Sequence, residues 1–222
     1  IRIWEFMMYK VILSCLLALS VSVCAAFADP GTPKQRVEDG SARIFNLLLQ
    51  EEFQNPQTRP NVLKEIEKEL ISFFDFEEFA TRTVGPKWRQ FTPEQKKRFT
   101  EAFTELLRNS YIDTLNSYNG ETLAYVGEVR SKDGKKVEVH TLFKGQEKDY
   151  PVSFRMIVKN DIWVVYDVII EGISMIKNYR EQFHDILIKA SPEELITRIK
   201  QKANDKKNEI GTKEKNKDTD KK

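Results

Sequence analysis

Apolar positions along this chain recur first with a helical period, then with a period of two, then with a helical period again. Thr32 followed by Pro33 predicts a helix start, the threonine as N-cap and the proline at the first helical position. Val37, Ile44, Phe45, Leu48 and Leu49 then form one stripe. A second helix is predicted from near Asn61 to Phe73, with Leu63, Ile66 and Leu70 on one face. Asp75 caps a third: Glu78 completes a capping box, Phe74 can staple to Phe79, and Gly85-Pro86 ends it. Thr92-Pro93-Glu94-Gln95 is another capping box and opens the longest helix, with Phe99, Ala102, Phe103, Leu106, Leu107, Tyr111, Leu115 and Tyr118 on one stripe. From Pro93 to about Tyr118 it spans roughly 39 Å at 1.5 Å per residue, enough to floor a whole sheet.

Past Asn119-Gly120 the alternation of strands takes over. Four are predicted, at Thr122–Arg130, Lys135–Lys144, Tyr150–Val158 and Ile162–Ile170, joined by Lys132-Asp133-Gly134, the Gly145–Asp149 loop and Asn160-Asp161. All three connections carry hairpin chemistry, so the sheet should be an antiparallel meander. A helix from about Gly172 to Lys189 follows, then a last one capped by Ser191, Pro192 and Glu194. The fold class is α+β, a four-stranded twisted sheet wrapped by about six helices. From Ala203 onward Lys, Asp, Asn and Thr offer almost no apolar surface, and residues 203–222 are expected to be a disordered charged tail.

The N-terminal pattern is of a different kind. Lys10, the continuous run Val11–Val23 and then Ala26-Phe27-Ala28 make a signal peptide with cleavage after Ala28, its core well short of the ~20 residues that span a bilayer. The residues before Met7 precede the expected start at Met7 or Met8. A lipoprotein reading at Cys24 wants a small residue before the cysteine and meets Val23 instead. Residues 29–202 are then the folded domain, and 222 residues suffice for a sizeable core. Both cysteines, Cys15 and Cys24, lie in the signal, so thiol catalysis and cysteine metal sites are excluded from the mature chain. A formal net charge of +2 provides no large cationic field of the kind that binds nucleic acid.

The stretch from Asp161 to Gln182 carries the most functional information. Its strand is apolar on both faces around Asp167, and Glu171-Gly172 then switches the pattern to a helix with Ile173, Ile176, Tyr179, Arg180 and Phe183 in register. The run W-V-V-Y-D-V-x-x-E-G-x-S-x-x-x-N-Y-R-x-Q-F from Trp163 to Phe183, with FDFEEFATRTVGPKWRQFTPEQKKRF from Phe74 to Phe99, resembles the MlaC family, also called toluene-tolerance proteins, over about Lys34 to Lys202. That resemblance implies a periplasmic carrier of diacyl phospholipid. It also implies an outer-membrane lipoprotein–porin complex and an inner-membrane ABC transporter with a lipid-binding hexamer as partners. The expected sheet is NTF2-like, with a helical subdomain.

Catalytic alternatives are weak on the residues themselves. His140 and His184 have no second histidine at metal-ligand spacing. Gly172-Ile173-Ser174 sits where a nucleophile elbow would, but Ile176 replaces that motif's second glycine, and helix capping accounts for Ser174. Asp75 reads as an N-cap. A buried Asp167 needs a partner; Arg180 on the following helix is the first choice and Arg155 on the neighbouring strand the second. No catalytic residue, metal or cofactor is expected.

What remains is apolar surface. By alternation Val137, Val139 and Phe143, then Val152, Phe154 and Met156, then Val164, Tyr166, Val168 and Ile170 face one way, opposite Phe99, Phe103, Leu106, Leu107 and Tyr111. Pattern alone fits a solid core. The family resemblance instead implies an acyl pocket there, formed by these helix residues with Val139, Val152, Phe154, Met156, Val164, Tyr166, Val168 and Ile173. The rivals are an NTF2-like isomerase, which needs a titratable group in the pocket, and a binder of another apolar ligand.

Overall fold

The computed structural model describes residues 31–115 and 118–219; the expected signal peptide and the Cys24 alternative lie outside them. Seven α-helices and five strands follow in the order α1 (Pro33–Leu48), α2 (Glu51–Gln54), α3 (Arg59–Phe73), α4 (Phe76–Val84), α5 (Pro93–Leu115), β1 (Thr122–Arg130), β2 (Lys136–Lys144), β3 (Asp149–Lys159), β4 (Ile162–Ile170), β5 (Ile173–Ser174), α6 (Met175–Lys189) and α7 (Pro192–Thr219). A 3-10 turn, Gly85–Gln90, joins α4 to α5. Expected caps are in place: Thr32, Asp75, Thr92 and Ser174 each accept a backbone N–H three residues on, at 3.1 to 3.2 Å.

The sheet is the predicted meander, antiparallel in the order β1-β2-β3-β4-β5. Its fifth strand was not expected. Glu171 and Gly172, at φ 49° and 82°, turn the chain back so that Ile170 pairs with Ile173 and Ile169 with Ser174 before α6 begins. The seventh helix is the four-residue α2.

Two further expectations are corrected. A bulge sets Tyr166 and Asp167 against the single residue Arg155, so Phe154 pairs with Val168 while Met156 pairs with Val165. Val165 and Val168 therefore share a face, with Val137, Val139, Met156 and Trp163, and that face packs on Val37 of α1 and Phe73 of α3. Val164 and Tyr166 are left on the other side.

Ala203 does not open a disordered tail: it is 1% exposed within α7, and the amide of Asn109 on α5 donates to its carbonyl at 2.9 Å. Leu195, Ile196, Ile199 and Ala203 form a narrow apolar stripe that buries Phe99, Ala102, Phe103 and Leu106 of α5. The long helix thus floors α7 more than the sheet. Around it Phe99 meets Trp88, Phe91, Phe103 and Phe183 with ring centroids 5.6 to 5.8 Å apart, each such pair contributing about 0.5–1.5 kcal/mol beyond its buried area.

Helices α1–α3 close a third cluster around Leu48, Phe53, Val62 and Ile66. Arg36 ties it to the sheet, donating to the carbonyls of Trp163 and Ser72. The Asp75 N–H donates to Val165 O at 2.8 Å, and Lys159 Nζ lies 2.8 Å from the buried Asp75 carboxylate.

Candidate functional site: an apolar cavity where three cores meet

Each of the three clusters is packed on itself, and between them a space of about 370 Å³ stays open. Its floor is Ile66 of α3, Phe79 of α4, Leu107 of α5 and Val168 of β4, all buried. Half-buried side chains form the walls: Ile44, Leu70, Phe74, Phe76, Tyr111, Leu115, Met175 and Tyr179. Ile170, 44% exposed, lies at the rim. The single small polar lining residue is Ser110, whose hydroxyl donates back to Leu106 O at 2.8 Å, so its hydrogen is turned to its own helix. A serine there, where a large side chain would reach across, helps to leave the gap.

Of the residues expected to line a pocket, Leu107, Tyr111 and Val168 do so. Phe99, Phe103 and Leu106 instead form the solid aromatic core against α7. Val139 and Met156 are fully buried under α1 and α3, with Val152 and Phe154 packed at the edge of the same cluster. The bulge turns Tyr166 away, under the Arg82 guanidinium at 4.3 Å. Val164 is buried outside the lining, and Ile173 on β5 is 65% exposed. Sequence reasoning missed Ile44, Ile66 and Leu70, whose stripes were recognised but whose docking was not, Phe74 and Phe79, which were read as a staple, and Phe76, which was given no role.

Asp167 and Arg180 are not a pair. The Asp167 carboxylate, 1% exposed, accepts from Arg155 Nη1 at 3.1 Å, Ser174 Oγ at 2.7 Å and the Ile176 N–H at 3.0 Å. Arg155 also donates to Glu138 at 2.8 Å, so one chain of bonds crosses from β2 through β3 and β4 to the start of α6. Arg180 extends the other way and gives two N–H groups to the Arg82 carbonyl. The tight β4–β5 hairpin brings Ser174 and the first turn of α6 over Asp167 and leaves Arg180, a turn and a half along, on α4. Asp167 thereby joins helix to sheet.

Burial pushes the Tyr111 hydroxyl up to about 12, the nearby Glu67 carboxylate adding to the effect; burial likewise raises Tyr179. Both phenols are therefore neutral at ordinary pH and present rings, not charge, to the cavity. Because the folded value of Tyr111 lies above the ordinary one near 10, the folded state keeps a proton that the unfolded chain loses. Its stabilising contribution is complete below pH ~10 and is lost as pH rises through ~12. Tyr111→Phe should flatten the alkaline fall in urea-unfolding free energy between those values. A slope identical to the parent's would show that Tyr111 titrates normally.

Among the described residues, no His, Cys, Asp or Glu group could hold a metal, and no helix is long and apolar enough to cross a membrane. The chemistry the cavity offers is burial alone. An apolar guest there gains roughly 25 cal/mol per Å² of apolar surface that it and the lining withdraw from water.

Residues 38–201 match the MlaC protein family. The intermembrane phospholipid transport system binding protein MlaC of Haemophilus influenzae is 24% identical over 149 residues, which is 65% of this chain and 70% of that protein. Toluene tolerance protein ttg2D of Pseudomonas putida is 34% identical over 100 residues, 45% of this chain and 46% of that one. A solved phospholipid-binding protein from Ralstonia solanacearum, in complex with a phospholipid, superimposes with a TM-score of 0.66 at 23% identity, covering 80% of this chain and 98% of that one. It has the same fold.

Proposed function

This chain belongs to the MlaC family, and from that premise we propose that it binds phospholipid and carries it between membranes, with acyl chains in the cavity bounded by Ile66, Phe79, Leu107, Tyr111 and Val168. The observation that carries the reading is the cavity's lining, aliphatic and aromatic throughout apart from a serine whose hydroxyl donates to its own helix. An NTF2-like isomerase would need a general base facing its substrate; Tyr111 and Tyr179, which line this space, are kept protonated by burial, and Asp167 lies outside it, bonded to Arg155, Ser174 and Ile176.

The reading places the protein in the periplasm after cleavage behind Ala28, as a non-catalytic carrier. At ~0.8 kcal/mol per buried CH₂, two acyl chains of ordinary length represent roughly 20 kcal/mol or more of transfer free energy. Release into water is then too slow to be useful, and lipid must pass within docked complexes. The partners proposed are the outer-membrane lipoprotein–porin complex and the inner-membrane ABC transporter with its lipid-binding hexamer. Organic extraction and mass spectrometry of the natively purified protein should return diacyl phospholipid near one equivalent. A different apolar ligand, or none, would overturn the proposal.

A further inference from the structure

A second cleft lies on the other side of the β4–α6 junction, and its chemistry is the reverse of the first. It encloses about 430 Å³, walled by Arg82 of α4, Arg155 of β3, and Lys177 and Arg180 of α6, with Tyr166 and Asp167 behind them. Along β4 the two clefts alternate: Val168 and Ile170 face the apolar cavity, while Asp167 and Ile169 line the basic one.

The arginines are held in place by contacts that do not exhaust them. Arg82 is bonded to Glu78 at 2.7 Å and lies over the Tyr166 ring. Arg155 is fixed between Glu138 and Asp167. Arg180 rests its Nε and Nη2 on the Arg82 carbonyl at 2.9 and 2.7 Å, and among the described residues neither it nor Lys177 has a carboxylate within ion-pair reach. Four cations meet three carboxylates, Glu78, Glu138 and Asp167, so the cleft keeps positive charge. The carboxylate in its wall, Asp167, is turned to Arg155, the Ser174 hydroxyl and the Ile176 N–H, and its charge is offset by Arg155.

Pre-positioned guanidinium forks with a neighbouring ammonium are suited to a tetrahedral oxyanion, which can accept from several donors at once. We infer that this cleft is an anion site that takes a phosphate group, offered either free or as the headgroup of a lipid. The site does not depend on the apolar cavity being filled.

The full chain, as purified, is titrated with inorganic phosphate by calorimetry at low ionic strength, with acetate as the control anion. Binding should be saturable, and Lys177→Ala and Arg180→Ala should each weaken it about tenfold through loss of a charged donor. The Lys177 side chain is exposed and has no hydrogen bond or ion pair among the described residues, and its backbone N–H keeps the Ser174 cap in the variant, which should therefore melt like the parent; it keeps the test decisive if Arg180→Ala folds poorly. Co-sedimentation with phosphatidylcholine vesicles, with and without phosphatidylglycerol, separates the sources. Binding to the anionic vesicles that phosphate competes away and both variants lose identifies a headgroup; phosphate binding without vesicle binding identifies the free ion. Unsaturable phosphate binding, equal affinity for acetate, or affinity unchanged in Lys177→Ala overturns the site. Lipid content of the same samples reports on the apolar cavity, so the two proposals fail separately.

Discussion

Asp167→Ala should lower the free energy of urea unfolding by about 2–4 kcal/mol. Three donors lose their acceptor at once: Arg155, the Ser174 hydroxyl and the Ile176 N–H. Stranding a buried N–H costs about 1–3 kcal/mol by itself. The total is placed about 1 kcal/mol lower than the roughly 3–5 kcal/mol of a fully buried broken pair, because the Arg155 side chain is 39% exposed and keeps Glu138. Asp167→Asn should lose less, since its carbonyl can still accept from Ile176. Arg180→Ala, which removes only bonds to an exposed carbonyl at the end of α4, should cost about 0.5–1.5 kcal/mol. Were Arg180→Ala as damaging as Asp167→Ala while Arg155→Ala was mild, the assignment of Arg155 as the carboxylate's partner would fail.

The strands were legible almost to the residue because alternation and hairpin residues are local signals: Asn160 and Asp161, for instance, take the positive φ values, 51° and 58°, of a two-residue turn. The bulge was not legible. In Val-Val-Tyr-Asp-Val nothing marks which residue is extra, and a single extra residue moves Val164 and Tyr166 to the opposite face from Val168. Arg155 was ranked second for Asp167 because helical spacing gives direction along α6 but not the tight hairpin that starts it. The broad apolar stripe of α5 could not reveal which part of it meets α7, since that depends on four small or aliphatic positions in a segment whose other residues read as solvated. The cavity is the least local feature. Its lining comes from α1, α3, α4, α5, β4 and α6, and periodicity says that each buries a face without saying against what.

Ser110→Phe should leave the fold intact and lower co-purifying phospholipid several-fold. Ser110 lies on α5 with its side chain in the cavity wall, and its hydroxyl bonds only to Leu106 O, a carbonyl of its own helix. Replacing it strands no polar partner, and the ring enters space already lined by Phe79, Leu107 and Tyr179. In a solid core the same insertion would cost about 1–3 kcal/mol through strain; in an open cavity it removes unfilled volume and should be neutral or stabilising in the lipid-free protein. Val164→Trp is the contrast, because Val164 is buried outside the lining and overpacking there should show the full strain with no specific effect on lipid. Melting temperature and phospholipid per protein, measured on both variants after delipidation and reloading, separate the effects. A Ser110→Phe protein that binds as much phospholipid as the parent would show that the acyl chains lie elsewhere.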